Sequence, residues 1–475
     1  MEYIFEDVVI KPSNAPKFLL NGEEVDIWCE ELRNYHSKSI VEYVREAILD
    51  YERKGLDPFP EIVGKEIEKE MVKNALMSGS NVLFRGRKGY GKTTFSKSIM
   101  KLLPERILAV KGCKIGCDPT RPSCFSCKKK LIENDVVELT WIPRKWIRIA
   151  GDPMMTTRQL IGGISIQKIR EGYDLDHPEV FTPGKVLKAH RGIAYFDELG
   201  AIPSALQTLL HELLEEKQIT TPEGDIIPMK IDTIVIASTN PANYKGVSDI
   251  KEPLLDRMEE ILIGPPETLE EEIEIGLRNM SLKEGAILPD WHLKILARIV
   301  RLARCKECRV SSFIELEPSC RATIKLFDHL RASATRKGHE CAMLIDYGKN
   351  YEIVKLALRS RMEVEYDEIS KDDVIVKLTE EALNKTCSEI YNKIPRNEFK
   401  DLMSEISELC LEPLDVENVD GLEEFDHIYR TLLLIAKRKE ELSSALEILL
   451  ESIKRCTGLI DKVGFGKYVY AGYET

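Results

Sequence analysis

The octapeptide Gly86-Arg87-Lys88-Gly89-Tyr90-Gly91-Lys92-Thr93 limits what this chain can fold into more than any other stretch. It fits the pattern G-x-x-x-x-G-K-[ST] and follows the strand-like run Asn81-Val-Leu-Phe84. The residues after it, Thr94 to Leu103, read as a helix. A strand, a glycine-rich turn and a helix in that order make a phosphate cradle, because the glycines let backbone N–H groups curl around an anion at a helix N-terminus. Lys92 is placed to reach β- and γ-phosphates, and the Thr93 hydroxyl to meet Mg²⁺. An ordinary glycine-rich turn is the plainer reading, but it would require neither flank. The expectation is a nucleoside triphosphate site built from Gly86 through Thr94.

A second motif supports it. Gly192-Ile-Ala-Tyr-Phe196-Asp197-Glu198 is an apolar run ending in two acids. In a phosphate-loop enzyme the first acid, Asp197, belongs to the Mg²⁺ shell, and the second, Glu198, orients or deprotonates an attacking water. A third apolar run, Ile234 to Asn240, ends in a side chain suited to positioning that water. Its plainer reading is an Asn-Pro turn, since Pro241 follows.

Composition narrows the classes. With 475 residues, several domains fit. No apolar run reaches the length of a membrane span, and Met1 to Asp7 lacks the features of a signal peptide, so a cytoplasmic location without a membrane is expected. A net charge of −12 argues against a broad grip on nucleic acid, which depends on neutralising phosphates. Lys128-Lys-Lys130 and Arg144-Lys145-Trp146-Ile-Arg148 are the local basic candidates, with solvated surface as the alternative.

Among 12 cysteines, Cys113, Cys117, Cys124 and Cys127 form a dense cluster, C-x3-C-x6-C-x2-C. In a cytosolic chain such a cluster reads as metal ligation. Four thiolates close a tetrahedron around Zn²⁺, and the glycines and prolines between them permit tight turns. An iron–sulfur cluster is the alternative. Four protein ligands leave no open position, so the metal would be structural. Cys305 and Cys308 repeat the C-x2-C spacing, but beside a helical stretch, where buried apolar cysteines are the expectation. Cys29, Cys387, Cys410 and Cys456 are scattered.

These motifs and their order resemble the AAA+ ATPases of the magnesium chelatase I-subunit and MoxR group. The resemblance runs from about Phe59 to Met362. It begins at Pro60-Glu-Ile-Val-Gly-Lys65 and continues through the loop containing Cys117-Asp118-Pro119. Leu160-Ile-Gly-Gly163 and Phe181-Thr-Pro-Gly184 flank what looks like a helix-2 insert. A hairpin at 219–230, Pro253-Leu-Leu-Asp-Arg257 and Pro318-Ser-Cys-Arg321-Ala322 complete it. The implied fold is α/β: a P-loop AAA+ core with a parallel sheet, a helical lid domain, a four-cysteine metal-binding insert and a further C-terminal helical region.

The expected organisation is an acidic helical preface at 1–55 and a nucleotide-binding domain at 56–268, with inserts at 111–130, about 158–190 and 219–230. A lid at 269–362 and a helical region at 363–475, with an amphipathic helix from Leu432 to Cys456, complete the chain. The resemblance also implies that Arg257 is an arginine finger offered to the neighbouring subunit, oriented by Asp256, and that Arg321 is a lid arginine on the γ-phosphate. It implies ATP and Mg²⁺, a homo-oligomeric ring that would be a hexamer, and a protein client or a von Willebrand type A domain partner. No integrin-like domain is recognisable, so the client is unnamed. The other classes are a nucleic-acid motor of the minichromosome maintenance type and a nucleotide-switched scaffold. The acidic hairpin tip Glu223-Gly-Asp225 weighs against the first, and Glu198 with Arg257 against the second.

Overall fold

A computed structural model of the chain describes residues 7–173, 180–217, 219–220, 226–227, 229–240, 250–305, 309–365, 369–419 and 421–471. It divides into two compact units, Met1–Gly264 and Pro265–Thr475.

The first unit is built on a five-stranded parallel sheet. We number its elements together with those packed near it: β1 (Lys17–Leu20), β2 (Asn81–Arg85), β3 (Arg106–Val110), β4 (Val136–Pro143), β5 (Lys145–Ala150), β6 (Gly192–Asp197), β7 (Thr233–Thr239) and β8 (Met258–Leu262). The parallel order is β8-β2-β7-β6-β5. The middle strands are continuous apolar runs because helices cover both faces: Val82, Leu83 and Phe84, Ile193 to Tyr195, and Ile236 and Ala237 are all fully buried. The helices that position the site are α1 (Ile40–Lys54), α2 (Glu66–Ser78), α3 (Lys92–Met100) and α4 (Phe125–Glu133), with α5 (Ser204–Glu216) after the second motif. The helix expected from Thr94 therefore starts two residues earlier, inside the octapeptide.

A second sheet carries the cysteine segment. β3 pairs antiparallel with β4, and β1 pairs in parallel with β4, Leu19 lying opposite Glu138. The preface is thus more than a helix: it supplies a strand and α1, whose Ser39 forms a capping box with Glu42. In the insert region Gly162–Ile164 pairs antiparallel with Phe181–Pro183 around a short helix, Ile166–Arg170. The hairpin strands Ile219–Thr220 and Ile226–Ile227 also pair antiparallel, while the tip at 221–225 lies outside the described residues.

The second unit is helical around one hydrophobic core. α6 (Asp290–Arg304), α7 (Cys320–Lys337), α8 (Lys371–Tyr391) and α9 (Leu442–Thr457) supply its centre, with Ile295, Leu326, Val374 and Leu449 fully buried. The helix expected from Leu432 to Cys456 is interrupted. One helix ends at Ile435 and α9 starts at Leu442, because the Glu441 carboxylate accepts the Lys437 N–H at 2.8 Å and stabilises a turn without glycine or proline. Cys305 caps the end of α6 rather than lying on its face, and Cys308 falls outside the described residues.

Candidate active site

The octapeptide forms the turn between β2 and α3. Gly89 and Gly91 take φ values of 86° and 92°, which an L side chain resists, and Gly91 leads straight into α3. The N-cap position has no side chain to cap that N-terminus, so its N–H groups and the helix dipole face the loop. The buried Lys92 ammonium folds over the loop, donating to the carbonyls of Gly86 and Arg87 and, at 3.3 Å, to Asn240 Oδ1. Asn240 follows β7, so the loop lysine and the end of the third motif meet.

β6 brings in the acids. Tyr195 and Asp197 are two residues apart on one strand and so share a face. The Tyr195 hydroxyl is 3.1 Å from Thr93 Oγ1, 3.2 Å from Asp197 Oδ1 and 3.0 Å from Ser238 Oγ. Ser238 Oγ donates to Asp197 Oδ1 at 3.0 Å. From the other side Arg148, within β5, donates to Asp197 Oδ2 through Nε at 3.0 Å and again through a terminal nitrogen. Burial by itself would raise the Asp197 carboxyl, but the hydrogen bonds from Arg148 and Ser238 and the Arg148 charge hold it below the usual range. Burial pushes the Tyr195 phenol up to about 12, so it remains a neutral donor.

Glu198 follows at φ 63°, a strained conformation for a residue with a side chain. The backbone beside it passes against Gly151, where a Cβ would lie 2.0 Å from the Glu198 carbonyl oxygen. The Glu198 carboxylate pairs with Lys88 of the loop at 2.8 Å. The loop, Asp197, Glu198 and Asn240 are thus gathered at the C-terminal ends of three parallel strands.

Sequence reasoning missed Arg148, Tyr195, Ser238 and Gly151 as parts of this site. The basic side chains of Arg144–Arg148 are spread over separate partners rather than gathered in one patch. Arg144 donates to the carbonyls of Lys101 and Leu103, Lys145 to those of Ile115 and His190, Trp146 to Ser96 on α3, and Arg148 to Asp197. Lys128 is buried as well.

Arg257 is engaged by its neighbours: Nε and a terminal nitrogen reach Glu215 on α5 at 3.2 and 2.7 Å, and another donates to the Pro253 carbonyl. Arg321 is exposed on the first turn of α7, in the second unit.

The four cysteines converge. Their Sγ atoms all lie within 4.8 Å of one another. Backbone N–H groups of Cys117, Ser123 and Cys124 donate to Cys113 or Cys117 sulfur at 3.3 Å, the pattern that stabilises thiolate ligands. Hydrogen bonding to Cys117 and Cys124 lowers the Cys113 thiol, while burial raises Cys117. A tetrahedral thiophilic ion fits this donor set. The module is tied to the main sheet through Ser123, 3.2 Å from His190 Nε2, and through Arg191, which donates to Leu108 and pairs with Asp118.

A family model for the AAA domain (dynein-related subfamily) matches residues 128–258. The stretch runs through Asp197 and ends just past Arg257. A magnesium-chelatase subunit ChlI homolog of Methanocaldococcus jannaschii is 30% identical over 42% of this chain and 52% of its own length. Residues 128–258 thus carry an AAA domain, and the sequence is similar to AAA+ proteins of the magnesium chelatase I-subunit type. A magnesium-chelatase 38 kDa subunit of Acidiphilium rubrum is 27% identical over 47% of this AAA+ chain and 63% of its own length. Among solved structures, a chain of a magnesium chelatase BchI–BchD assembly is 21% identical, covering 68% of this chain and 98% of that one, with a TM-score of 0.35. The chain spans about half the length of the curated relatives it matches. Among the described residues, no helix is long and apolar enough to cross a membrane.

Proposed function

We propose that this chain is an Mg²⁺-dependent ATPase that works as a subunit of a cytoplasmic ring, a hexamer, and remodels a partner protein or assists metal insertion. The observation that carries this reading is the meeting of Lys92, Thr93, Asp197, Glu198 and Asn240 at the strand ends. Lys92 and the loop amides from Gly86 to Thr94 bind the β- and γ-phosphates. Thr93 and Asp197 are the residues that hold Mg²⁺, which neutralises phosphate charge when bound. Glu198 exchanges Lys88 for the attacking water, and Asn240 orients that water. Arg257 leaves Glu215 to reach the nucleotide of a neighbouring subunit, and Arg321 serves the γ-phosphate from the lid at 269–362. The appended regions 1–55 and 363–475 select the client, which includes a von Willebrand type A domain partner among its candidates.

The decisive experiment mixes two inactive proteins, Lys92→Ala and Arg257→Ala. Lys92→Ala alone fails to bind the nucleotide, and Arg257→Ala alone binds ATP but hydrolyses it very slowly, because an arginine finger is worth roughly 10³–10⁵ in rate. In mixed rings some interfaces combine an intact Lys92 with an intact Arg257, and activity returns. No recovery despite proven subunit exchange would overturn the shared site.

Cys113, Cys117, Cys124 and Cys127 hold one structural Zn²⁺. Elemental analysis finds about one zinc per chain, and Cys124→Ser loses it. A brown protein containing iron would replace zinc with an iron–sulfur cluster, and a metal-free native fold would remove the site.

A further inference from the structure

Asp197 has its two oxygens committed to different partners, and the partners are unlike. Oδ1 points inward and accepts from Tyr195 and Ser238 at 3.2 and 3.0 Å. Oδ2 points outward and accepts only Arg148 among the described hydrogen bonds. The inner set is fixed: Tyr195 is buried within the sheet, and its ring stacks on Trp146 at 5.2 Å with an interplanar angle of 18°. Trp146 is tied to Ser96 of α3 at 2.7 Å, so the phenol is braced against the helix that carries Thr93. The outer partner is loose: the Arg148 side chain is 56% exposed. Strand register places Arg148 directly opposite Tyr195.

We propose that Tyr195 and Arg148 govern the metal side of the site in opposite senses. The Tyr195 hydroxyl presets the Thr93 hydroxyl and the Asp197 carboxylate as one pair, and Arg148 is the counter-cation that hydrated Mg²⁺ must replace at Asp197 Oδ2. The proposal rests on the nucleotide reading above and adds two positioning residues to it. Mg²⁺ demands near-ideal octahedral geometry and gives up water reluctantly, so a pair of oxygens already held in place lowers the cost of capture. An exposed arginine on the same carboxylate competes for it, and its loss removes the competitor.

The test measures binding of a fluorescent ATP analogue to the full chain as free Mg²⁺ is varied, with a metal-free baseline in chelator. Tyr195→Phe removes one hydroxyl and keeps the ring, so the Mg²⁺ concentration for half-maximal binding rises about 2- to 10-fold, the range for one lost hydrogen bond. Arg148→Gln lowers it about 2- to 5-fold, the range for an exposed ion pair. Arg148→Lys stays near the native value, and metal-free binding is the same in all four proteins. A merely structural lesion would move both variants the same way. Shifts of one sign, or a rise with Arg148→Gln, overturn the proposal. Native binding that ignores both Mg²⁺ and Lys92→Ala would overturn the nucleotide reading itself, which is a separate and visible result.

Discussion

Both units of this protein set arginines against carboxylates, and they do so under opposite conditions. In the first, the Arg148–Asp197 side chains are 56% and 20% exposed and lie on neighbouring strands. In the second, Arg304 and Glu272 are 8% and 0% exposed; the Arg304 terminal nitrogens meet the two carboxylate oxygens at 2.6 and 3.3 Å, and its Nε meets the Pro318 carbonyl. Water surrounds one pair and not the other. An exposed pair is worth little and can be traded for a ligand, whereas a buried one cannot lose a partner without stranding a charge. The contrast separates groups arranged to be exchanged from groups arranged to stay.

The comparison breaks most visibly at Arg304. Arg304→Met leaves the Glu272 carboxylate buried beside the Thr323 hydroxyl without its counter-charge, and should destabilise the second unit by about 3–5 kcal/mol. Chemical denaturation followed by Trp291 fluorescence, with the other three tryptophans replaced by phenylalanine, measures it. A loss below about 1 kcal/mol would mean the pair behaves like a surface one.

A second effect sharpens the contrast through pH. Glu447 on α9 is fully buried; one carboxylate oxygen accepts the Leu344 N–H at 2.6 Å, and the other has no partner among the described residues. Burial pushes its carboxyl from 4.5 up to about 8, with Asp346 and Glu451 adding to the rise and Lys462 opposing it. The folded form stays neutral while the unfolded chain ionises, so stability falls as pH climbs from about 4.5 toward 8 and then levels. Between pH 6 and 8 the loss is about 2 kcal/mol. Hydrogen exchange across Leu442–Thr457, corrected for intrinsic rates, should show it, and Glu447→Gln should flatten it.

The smallest effect belongs to Lys88, whose pair with Glu198 is half exposed on both sides. Lys88→Ala should change unfolding by less than about 1 kcal/mol. A loss comparable with that of Arg304→Met would erase the distinction between the units.

How much of this was legible in the sequence follows the same division. The loop, the Asp197-Glu198 pair and the cysteine quartet were legible because their chemistry fixes residue types at short spacing. Arg148 was not. In the sequence it closes a run of basic residues, and only the pairing of β5 with β6 carries Arg148 to Asp197 while Arg144 and Lys145 turn to backbone carbonyls elsewhere. Tyr195 read as one more apolar residue of a buried strand, because the hydroxyl's partners come from α3 and β7, far off in sequence. β1 is four residues long and carries no period that could announce it. The turn between Ile435 and Leu442 was hidden for a related reason: a side-chain cap, rather than a helix breaker, makes it.

That short strand has a consequence for how the molecule comes into being. β1 leaves the ribosome long before β4, its partner, and the loop, α3 and all four cysteines are synthesised in between. During that interval Phe18, destined to be almost wholly buried, waits in water on an unpaired segment. The β3–β4 hairpin and its sulfur cluster close over a much shorter stretch of chain, so loop entropy favours their forming first. Residues 17–20 are thus among the last to be seated in the cysteine sheet, which offers them no edge until β4 has been made.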